Sequence, residues 1–479
     1  MSKRVLLIYP PTGLMNREDR CQVPTKDVVI APPLPPTDLM YMAAVAKSEG
    51  YECKIIDYTL DELHTTADVI KDISEFHPDY LVLSTTTPTV KKDLAICAEA
   101  KRTVPDLKII AKGAHFLRFD IKALEEFPAL DMVVRGEAEW TLREILSGTN
   151  IARIQGLTWR KPDETETVTR NNDRTYLEEL DSLPFPARDL VDNNLYVRPD
   201  SGKVQGTIKV ARGCPFDCFF CLASAVSGKK VRTRSPENIL AEIRECIEKY
   251  NIHDFLFWSD IFNVDRKWVM ELCNLIINSN LKFIWATNTR TDTIDLEMAR
   301  LMRKAGCRLV SVGIESGSQE LLDKMGKKID IPQIKEAFRI FKQAGLKSFA
   351  YYIVGLPWET RETFEETIRL AIELDSDFAN FFTATAFPGT RFFDYALDEG
   401  LFQAEDVNKN AADSYDDAYF YPTVISHNLT KDEIAALHRE AVRRFFLRPG
   451  YILKSVLQIR TLTEFINYSK AALALIKRK

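Results

Sequence analysis

The sequence predicts an α/β chain: a doubly wound parallel sheet over 1–150, a linker over 151–203, a partial (β/α)6 barrel over 204–400 and a helical region over 401–479. Three observations carry this. Short apolar runs alternate with helix-period stretches through the first 150 residues, and a second such series starts at Val204. A length of 479 residues also exceeds what one ordinary core serves, so two or three domains are expected.

In the first series, Arg4 to Tyr9, Glu52 to Asp57, Tyr80 to Ser84, Lys108 to Lys112 and Met132 to Arg135 read as strands. Leu39 to Ser48 and Leu94 to Arg102 read as helices between them. Ligands of such sheets bind outside the carboxyl ends of the strands. The informative loops are therefore Pro10 to Gly13, Thr85 to Pro88, Gly113 to His115 and Gly136 to Glu139. From Ile154 the pattern weakens, and a small strand pair is expected before Leu183-Pro184-Phe185-Pro186.

In the second series the strand candidates are Gly206 to Ala211, Phe255 to Ser259, Phe283 to Thr287, Leu309 to Ile314, Phe349 to Val354 and Phe378 to Thr383. Helices such as Pro236 to Tyr250 and Gln333 to Ala344 separate them, giving six strand–helix units. Leu401 to Lys479 shows helical periodicity alone. Its last forty residues are basic, and the favoured reading is a basic helix face packed on an acidic body, with peripheral contact to an anionic lipid surface as the alternative.

A net charge of -5 with 46% hydrophobic residues gives no reason to expect nucleic acid. Neither a signal segment at Met1 to Leu14 nor an apolar run of spanning length is found, so a cytoplasmic location is expected by default. Six of the nine cysteines (Cys21, Cys53, Cys97, Cys246, Cys273 and Cys307) are scattered without a pairing pattern and read as small buried hydrophobes, Cys21 least securely because it lies in a polar loop.

The other three form Gly213-Cys214-Pro215-Phe216-Asp217-Cys218-Phe219-Phe220-Cys221, directly after a predicted strand. Three thiolates in one loop suit three irons of a 4Fe-4S cluster, and the missing fourth cysteine leaves one iron open to a small ligand. A structural zinc ion would need a fourth ligand, and no Cys or His stands nearby in sequence.

Cys-x3-Cys-x-aromatic-Cys after a first barrel strand resembles the signature of the radical S-adenosylmethionine (SAM) superfamily. The resemblance implies that Cys214, Cys218 and Cys221 hold a 4Fe-4S cluster that cleaves SAM, with Phe220 near the adenine. Trp258-Ser259-Asp260-Ile261-Phe262 is similar to the family's acidic segment after the second strand, with Ser259 in place of one acid, and implies Asp260 as the SAM ammonium contact. Arg290 and Glu315, at segments like the family's third and fourth strand ends, fit the SAM carboxylate and the ribose or amino group. For these two and Asp292, a structural ion pair fits as well. Gly355, in Gly355-Leu356-Pro357-Trp358, would admit close approach of a cofactor such as adenine.

A doubly wound domain ahead of such a barrel resembles the cobalamin-binding subgroup of the superfamily. Thr12, Thr85, Thr86, Gly113, Gly136 and Glu137 lie in the segments that carry this likeness, and hydroxyls with bare backbone amides suit an amide-rimmed corrin. No Asp-x-His-x-x-Gly motif is present, so the cobalt should lack a histidine ligand, and His115, the nearest candidate, reads as a loop residue.

The resemblance implies an enzyme that uses SAM, the cluster and cobalamin, with an external electron donor such as flavodoxin or ferredoxin and a small-molecule substrate. C-methylation of an unactivated carbon is the expected reaction: one SAM methylates cobalamin and a second, cleaved, yields the radical that activates the substrate. The alternative is radical cyclisation or rearrangement of a hydrophobic tetrapyrrole or lipid-like substrate, since Thr85 to Pro88 and Arg232 to Ser235 also resemble the anaerobic cyclase and hopanoid branches. A non-catalytic sensor is the third reading, and the open iron speaks against it.

Overall fold

The first strand, β1 (Arg4–Tyr9), has neither face open to water. Val5, Leu7 and Tyr9 enter one core while Leu6 and Ile8 enter another, as a strand with helices on both faces requires. The structure, a computed structural model, describes residues 3–13, 15–18, 21–24, 33–60, 63–161, 164–198, 201–402 and 424–459, with 461 and 466.

After β1 come a hairpin of β2 (Met15–Glu18) and β3 (Cys21–Pro24), then β4 (Glu52–Asp57), β5 (Tyr80–Ser84), β6 (Lys108–Lys112) and β7 (Met132–Val134). The sheet runs β4-β1-β5-β6-β7, all parallel, so its order reverses between β1 and β5. The strand pair expected after Ile154 is present as β8 (Leu157–Lys161) and β9 (Glu164–Arg170). It extends this same sheet antiparallel at the β7 edge.

The second sheet comprises β10 (Gln205–Lys209), β13 (Asp254–Trp258), β14 (Ile284–Thr289), β15 (Cys307–Glu315), β16 (Lys347–Val354) and β17 (Phe378–Thr383). These six are parallel and in sequence order, which makes the open barrel that the six units predict. A short antiparallel pair, β11 (Ala211–Arg212) and β12 (Arg232–Thr233), brackets the cysteine loop. Outer helices start where the sequence supplies caps. Ser235 accepts from the Asn238 amide before Pro236–Tyr250, and Asp330 with Gln333 forms a capping box before Ile331–Ala344.

Charged pairs join the carboxyl end of the first sheet to the β11–β12 pair that brackets the cysteine loop. Glu137, past β7, accepts from Arg232 at 2.8 and 3.0 Å, and Glu139 accepts from Arg212 at 2.6 Å. Burial alone would raise the Glu139 carboxyl, but the Arg212 guanidinium holds it down to about 2.

The helix Lys431–Phe446 seats Ile434, Leu437, Ala441 and Phe445 on the barrel wall. Two basic residues of this region pair with the barrel's acidic residues: Arg444 meets Glu365 at 2.8 Å and Arg448, just past the helix, meets Asp375 at 2.8 Å, while Arg439 and Arg443 are exposed. The following helix, Pro449–Gln458, leaves Leu453 and Leu457 exposed, and Lys477 to Lys479 lie outside the described residues. No helix among the described residues is long and apolar enough to cross a membrane. Cys97, Cys246, Cys273 and Cys307 are buried and free, as expected, and burial pushes the first three thiols up to about 12. Cys53 is half-buried, and the side chain of Cys21 lies outside the described residues.

Candidate functional site

Beyond β11 the chain turns across the carboxyl end of the barrel at Gly213, whose φ is +93°. A Cβ there would run into the Lys230 carbonyl, so only glycine lets the loop lie this close. The Gly213 amide donates to Asp260 at 2.6 Å, and the Cys214 amide donates to the Gly228 carbonyl at 2.9 Å. Further on, the Phe219 amide donates to the Met325 carbonyl at 2.8 Å. Anchors just before the first cysteine, at it and within the motif fix the loop before any ligand arrives.

Cys214, Cys218 and Cys221 are half-buried and line one cavity of about 500 Å3. Burial pushes the Cys214 thiol up. Among the described residues, no three His, Cys, Asp or Glu side chains converge as a single ion requires. An iron–sulfur cube distributes its thiolates over separate irons, so the donor set fits the cluster better than zinc.

The structure brings Phe220, Asp260, Arg290 and Glu315 to the same cavity. Arg290 donates twice to Asp292 at 2.9 Å, donates to the Lys327 carbonyl at 2.9 Å, and lies 3.6 Å from the Phe216 ring centre. The ion pair weighed for Arg290 is thus present, and it sets the guanidinium at the cavity wall. Glu315 holds a left-handed φ of +69°, costly for a side chain of this kind, and accepts from Lys327 at 2.6 Å. Lys327 also lies 5.9 Å from the Phe220 ring centre. Sequence reading missed Lys327, because a lysine in the polar run Gly326-Lys327-Lys328 carries no periodic signal.

The reading of Gly355 is corrected. An added Cβ would meet Ile434 of the helix Lys431–Phe446 at 2.5 Å, so this glycine at φ +89° makes room for that helix rather than for a cofactor.

In the first sheet's loops, most of the expected polar groups already have protein partners. Thr12 donates to Asp93 at 2.5 Å, Thr85 donates to the Lys112 carbonyl at 3.1 Å, and Thr86 pairs with Thr89 at 2.7 Å. Gly113 lets its loop pass the Thr85 carbonyl, which a Cβ would strike. Gly136, by contrast, faces open space and, with Glu137, lines a small cavity between the sheets. Two buried atoms in these loops have no hydrogen-bond partner, Thr87 Oγ1 and His115 Nδ1. Burial pushes the His115 imidazole down to about 3, which keeps it neutral. These two atoms offer what a ligand with an amide rim needs.

A sheet with its switch point turned toward a cysteine-lined open barrel defines the class: a two-part enzyme with a radical SAM barrel. Residues 208–371 match the Radical SAM superfamily and residues 28–146 match the B12 binding domain. The chain belongs to the radical SAM superfamily, in the branch that carries a B12-binding domain. It is 30% identical over 459 residues, 95% of each chain, to an uncharacterized methyltransferase of Pyrococcus horikoshii. It is 28% identical over 429 residues to the anaerobic magnesium-protoporphyrin IX monomethyl ester cyclase of Rubrivivax gelatinosus, covering 87% of this chain and 75% of that one. Among solved structures, the radical SAM methyltransferase TsrM of Kitasatospora setae, with cobalamin and a 4Fe-4S cluster bound, superposes with a TM-score of 0.71 at 17% identity over 100% of both chains. The cobalamin-dependent radical SAM enzyme OxsB gives 0.68 at 15% identity over 99% of this chain and 72% of its own. At such identities these two structures bear on the fold alone.

Proposed function

We propose that this protein is a cobalamin-dependent radical SAM enzyme that methylates an unactivated carbon of a small molecule. The observation that carries it is the placement of Cys214, Cys218 and Cys221 in a cavity also lined by Asn16 and Gln22, from the hairpin that follows β1 of the first sheet. When bound, the cluster supplies the electron that splits SAM into a carbon radical, and the corrin supplies a carrier for a methyl group.

The chain's own residues supply binding and orientation. Cys214, Cys218 and Cys221 would hold the cluster. Asp260, fixed by the Gly213 amide, suits an ammonium group. Arg290, braced by Asp292, suits a carboxylate, and Glu315 with Lys327 suits hydroxyl and amino groups. Thr87, His115 and the open backbone at Gly136 would meet the corrin's amide rim. An external reductant such as flavodoxin or ferredoxin would deliver the electron. The likeness to the cyclase sustains cyclisation as the second reading.

Anaerobic reconstitution with iron, sulfide and cobalamin, followed by SAM and a low-potential reductant, tests the proposal. Formation of 5′-deoxyadenosine together with S-adenosylhomocysteine is expected. If no 5′-deoxyadenosine forms, the radical reading fails. If it forms with no S-adenosylhomocysteine and no dependence on cobalamin, cyclisation takes its place.

A further inference from the structure

A surface helix ordinarily turns its apolar side to the core and its polar side to water. The helix Pro449–Gln458 does the reverse. The side against the barrel is held by polar contacts: the Tyr451 hydroxyl donates to the Asp377 carbonyl at 2.9 Å, and Lys454 pairs with Asp375 and Asp377, each at 3.4 Å. The outer side carries Ile452, Leu453, Val456 and Leu457, between 47% and 75% exposed. Neighbours in sequence joined to their partners four positions on share one side of a helix, so these four form a single apolar strip about 8 Å long.

Two neighbouring helices extend the strip and border it with charge. Arg448, at the turn that leads into Pro449–Gln458, donates to the Ile372 carbonyl at 3.2 Å, which brings the end of the helix Arg361–Leu374 to that turn. Leu447 and Ile372 are both exposed there. Arg443 lies one turn before Leu447, Arg439 one turn before that, and Arg369 three positions before Ile372. All three arginines are exposed, and none pairs with an acidic side chain among the described residues. Arg444 and Arg448, by contrast, turn inward to Glu365 and Asp375. The sequence that follows carries Arg460, Lys470, Lys477, Arg478 and Lys479 against Glu464 alone.

Asp375 and Asp377 directly precede β17, so this surface lies at the amino end of the barrel, opposite the cysteine loop. Apolar side chains turned to water on a helix whose polar side is already engaged cost free energy unless something covers them. The unpaired arginines beside them define the charge of what does.

We propose that this apolar strip and its bordering arginines seat the protein on an anionic lipid surface, with the helix Pro449–Gln458 lying in the plane of the headgroups. An interfacial helix needs an apolar side flanked by cations and no spanning length. A second copy of the chain fits less well, because a two-fold contact through this face would set the same arginines against one another. Seated this way, the amino end of the barrel meets lipid while the cysteine loop and the first sheet face away from it. Lipid contact then anchors the protein without covering its open end. None of the residues involved is assigned to the cluster, SAM or the corrin, so the contact stands or falls apart from the radical chemistry.

Co-sedimentation of the reconstituted full chain with lipid vesicles tests it. Vesicles of phosphatidylcholine with about a third phosphatidylglycerol should bind the protein at least about tenfold tighter than phosphatidylcholine alone, and roughly 0.5 M salt should remove most of that difference. Leu453→Gln combined with Leu457→Gln should weaken binding to the mixed vesicles about tenfold or more. Arg369→Gln, Arg439→Gln and Arg443→Gln together should cut the preference for the anionic lipid about tenfold. Both variants change only exposed side chains, so each should melt within about 2 °C of the wild type, which separates lost contact from lost fold. No binding to the mixed vesicles, or undiminished binding by the leucine variant, overturns the proposal. Equal binding to both kinds of vesicle, or a preference that survives in the arginine variant, overturns the assignment to an anionic surface. Light scattering without lipid reads the other occupant: a dimer that the leucine substitutions convert to a monomer overturns the lipid assignment in favour of a second copy.

Discussion

Arg17 and Asp93 lie 2.8 Å apart with neither side chain open to solvent, and together they fasten the hairpin of β2 and β3 across the switch point of the first sheet. Arg17 donates to the Pro10 carbonyl just past β1 and to the Ser84 carbonyl at the end of β5. Thr12 and Thr89 complete the set by donating to Asp93. The crevice that such a sheet ordinarily offers to a ligand is thus occupied by the chain itself.

Removing one partner leaves a buried charge without compensation. Arg17→Met should cost about 3–5 kcal/mol, because the Asp93 carboxylate stays in the interior. For a unit of this size that lowers the first thermal transition by roughly 6–20 °C. The double variant Arg17→Met with Asp93→Leu should recover much of the loss. Scanning calorimetry of the full chain measures both, and an additive loss in the double variant counts against the coupling.

The expected strands agree with the observed ones to within about two residues, because apolar runs of four to six flanked by turn residues leave little latitude. The cysteine loop is legible for a different reason: its chemistry is local, written in eight consecutive residues. What stays hidden depends on contacts far apart in the chain. Cys21 reads as part of a polar loop, yet Arg17, in the hairpin that holds it, is buried through Asp93, seventy-six positions on. The bulge at Arg308, with Cys307 opposite Trp285 and Leu309 opposite Ala286, is set by strand register, which a single strand's pattern does not carry. Thr12 and Thr85 mark ligand-type loops, but their hydroxyls are used within the protein.

Gly355 and Ile434 make a second long-range pair. Gly355→Ala combines a left-handed φ with a Cβ at 2.5 Å from the isoleucine, and should cost on the order of 2–4 kcal/mol. Ile434→Ala alone leaves a cavity worth about 2–5 kcal/mol. The steric part of the glycine penalty then vanishes, so the double variant should lose less than the sum. Denaturation of the four proteins measures that coupling, and strict additivity rules out the contact.

Glu359 supplies a pH dependence. Burial pushes its carboxyl up to about 8, against hydrogen bonds from the Gly355 and Leu356 amides that favour the ionised form. Between pH 4.5 and 8 the folded chain keeps this proton while the unfolded chain releases it. The unfolded state therefore binds fewer protons, and this stabilisation, complete below pH 4.5, is lost as pH rises through 8. Glu359→Gln carries a neutral side chain at every pH. Melting temperatures from pH 5 to 9 should fall more steeply for the wild type than for the variant, and parallel curves would show that Glu359 is ionised throughout.

Cys218 lies between the other two thiols in sequence and has no redundancy. Its neighbour Phe219 is pinned by Met325, so the backbone of a Cys218→Ala protein should hold its place while the loop offers two ligands instead of three. Two thiolates hold a four-iron cube poorly, so the reconstituted variant should lose most of the broad absorbance of the cluster and release no 5′-deoxyadenosine. Cobalamin binding reads the other half of the molecule. Because Thr87, His115 and Gly136 belong to the first sheet's loops and not to the cysteine loop, cobalamin titration should be nearly unchanged in the same variant. Loss of both signals together would mean a misfolded chain, and Cys218→Ser, closer in size and polarity, would then repeat the test. A cluster and SAM cleavage that survive in either variant would remove Cys218 from the ligand set.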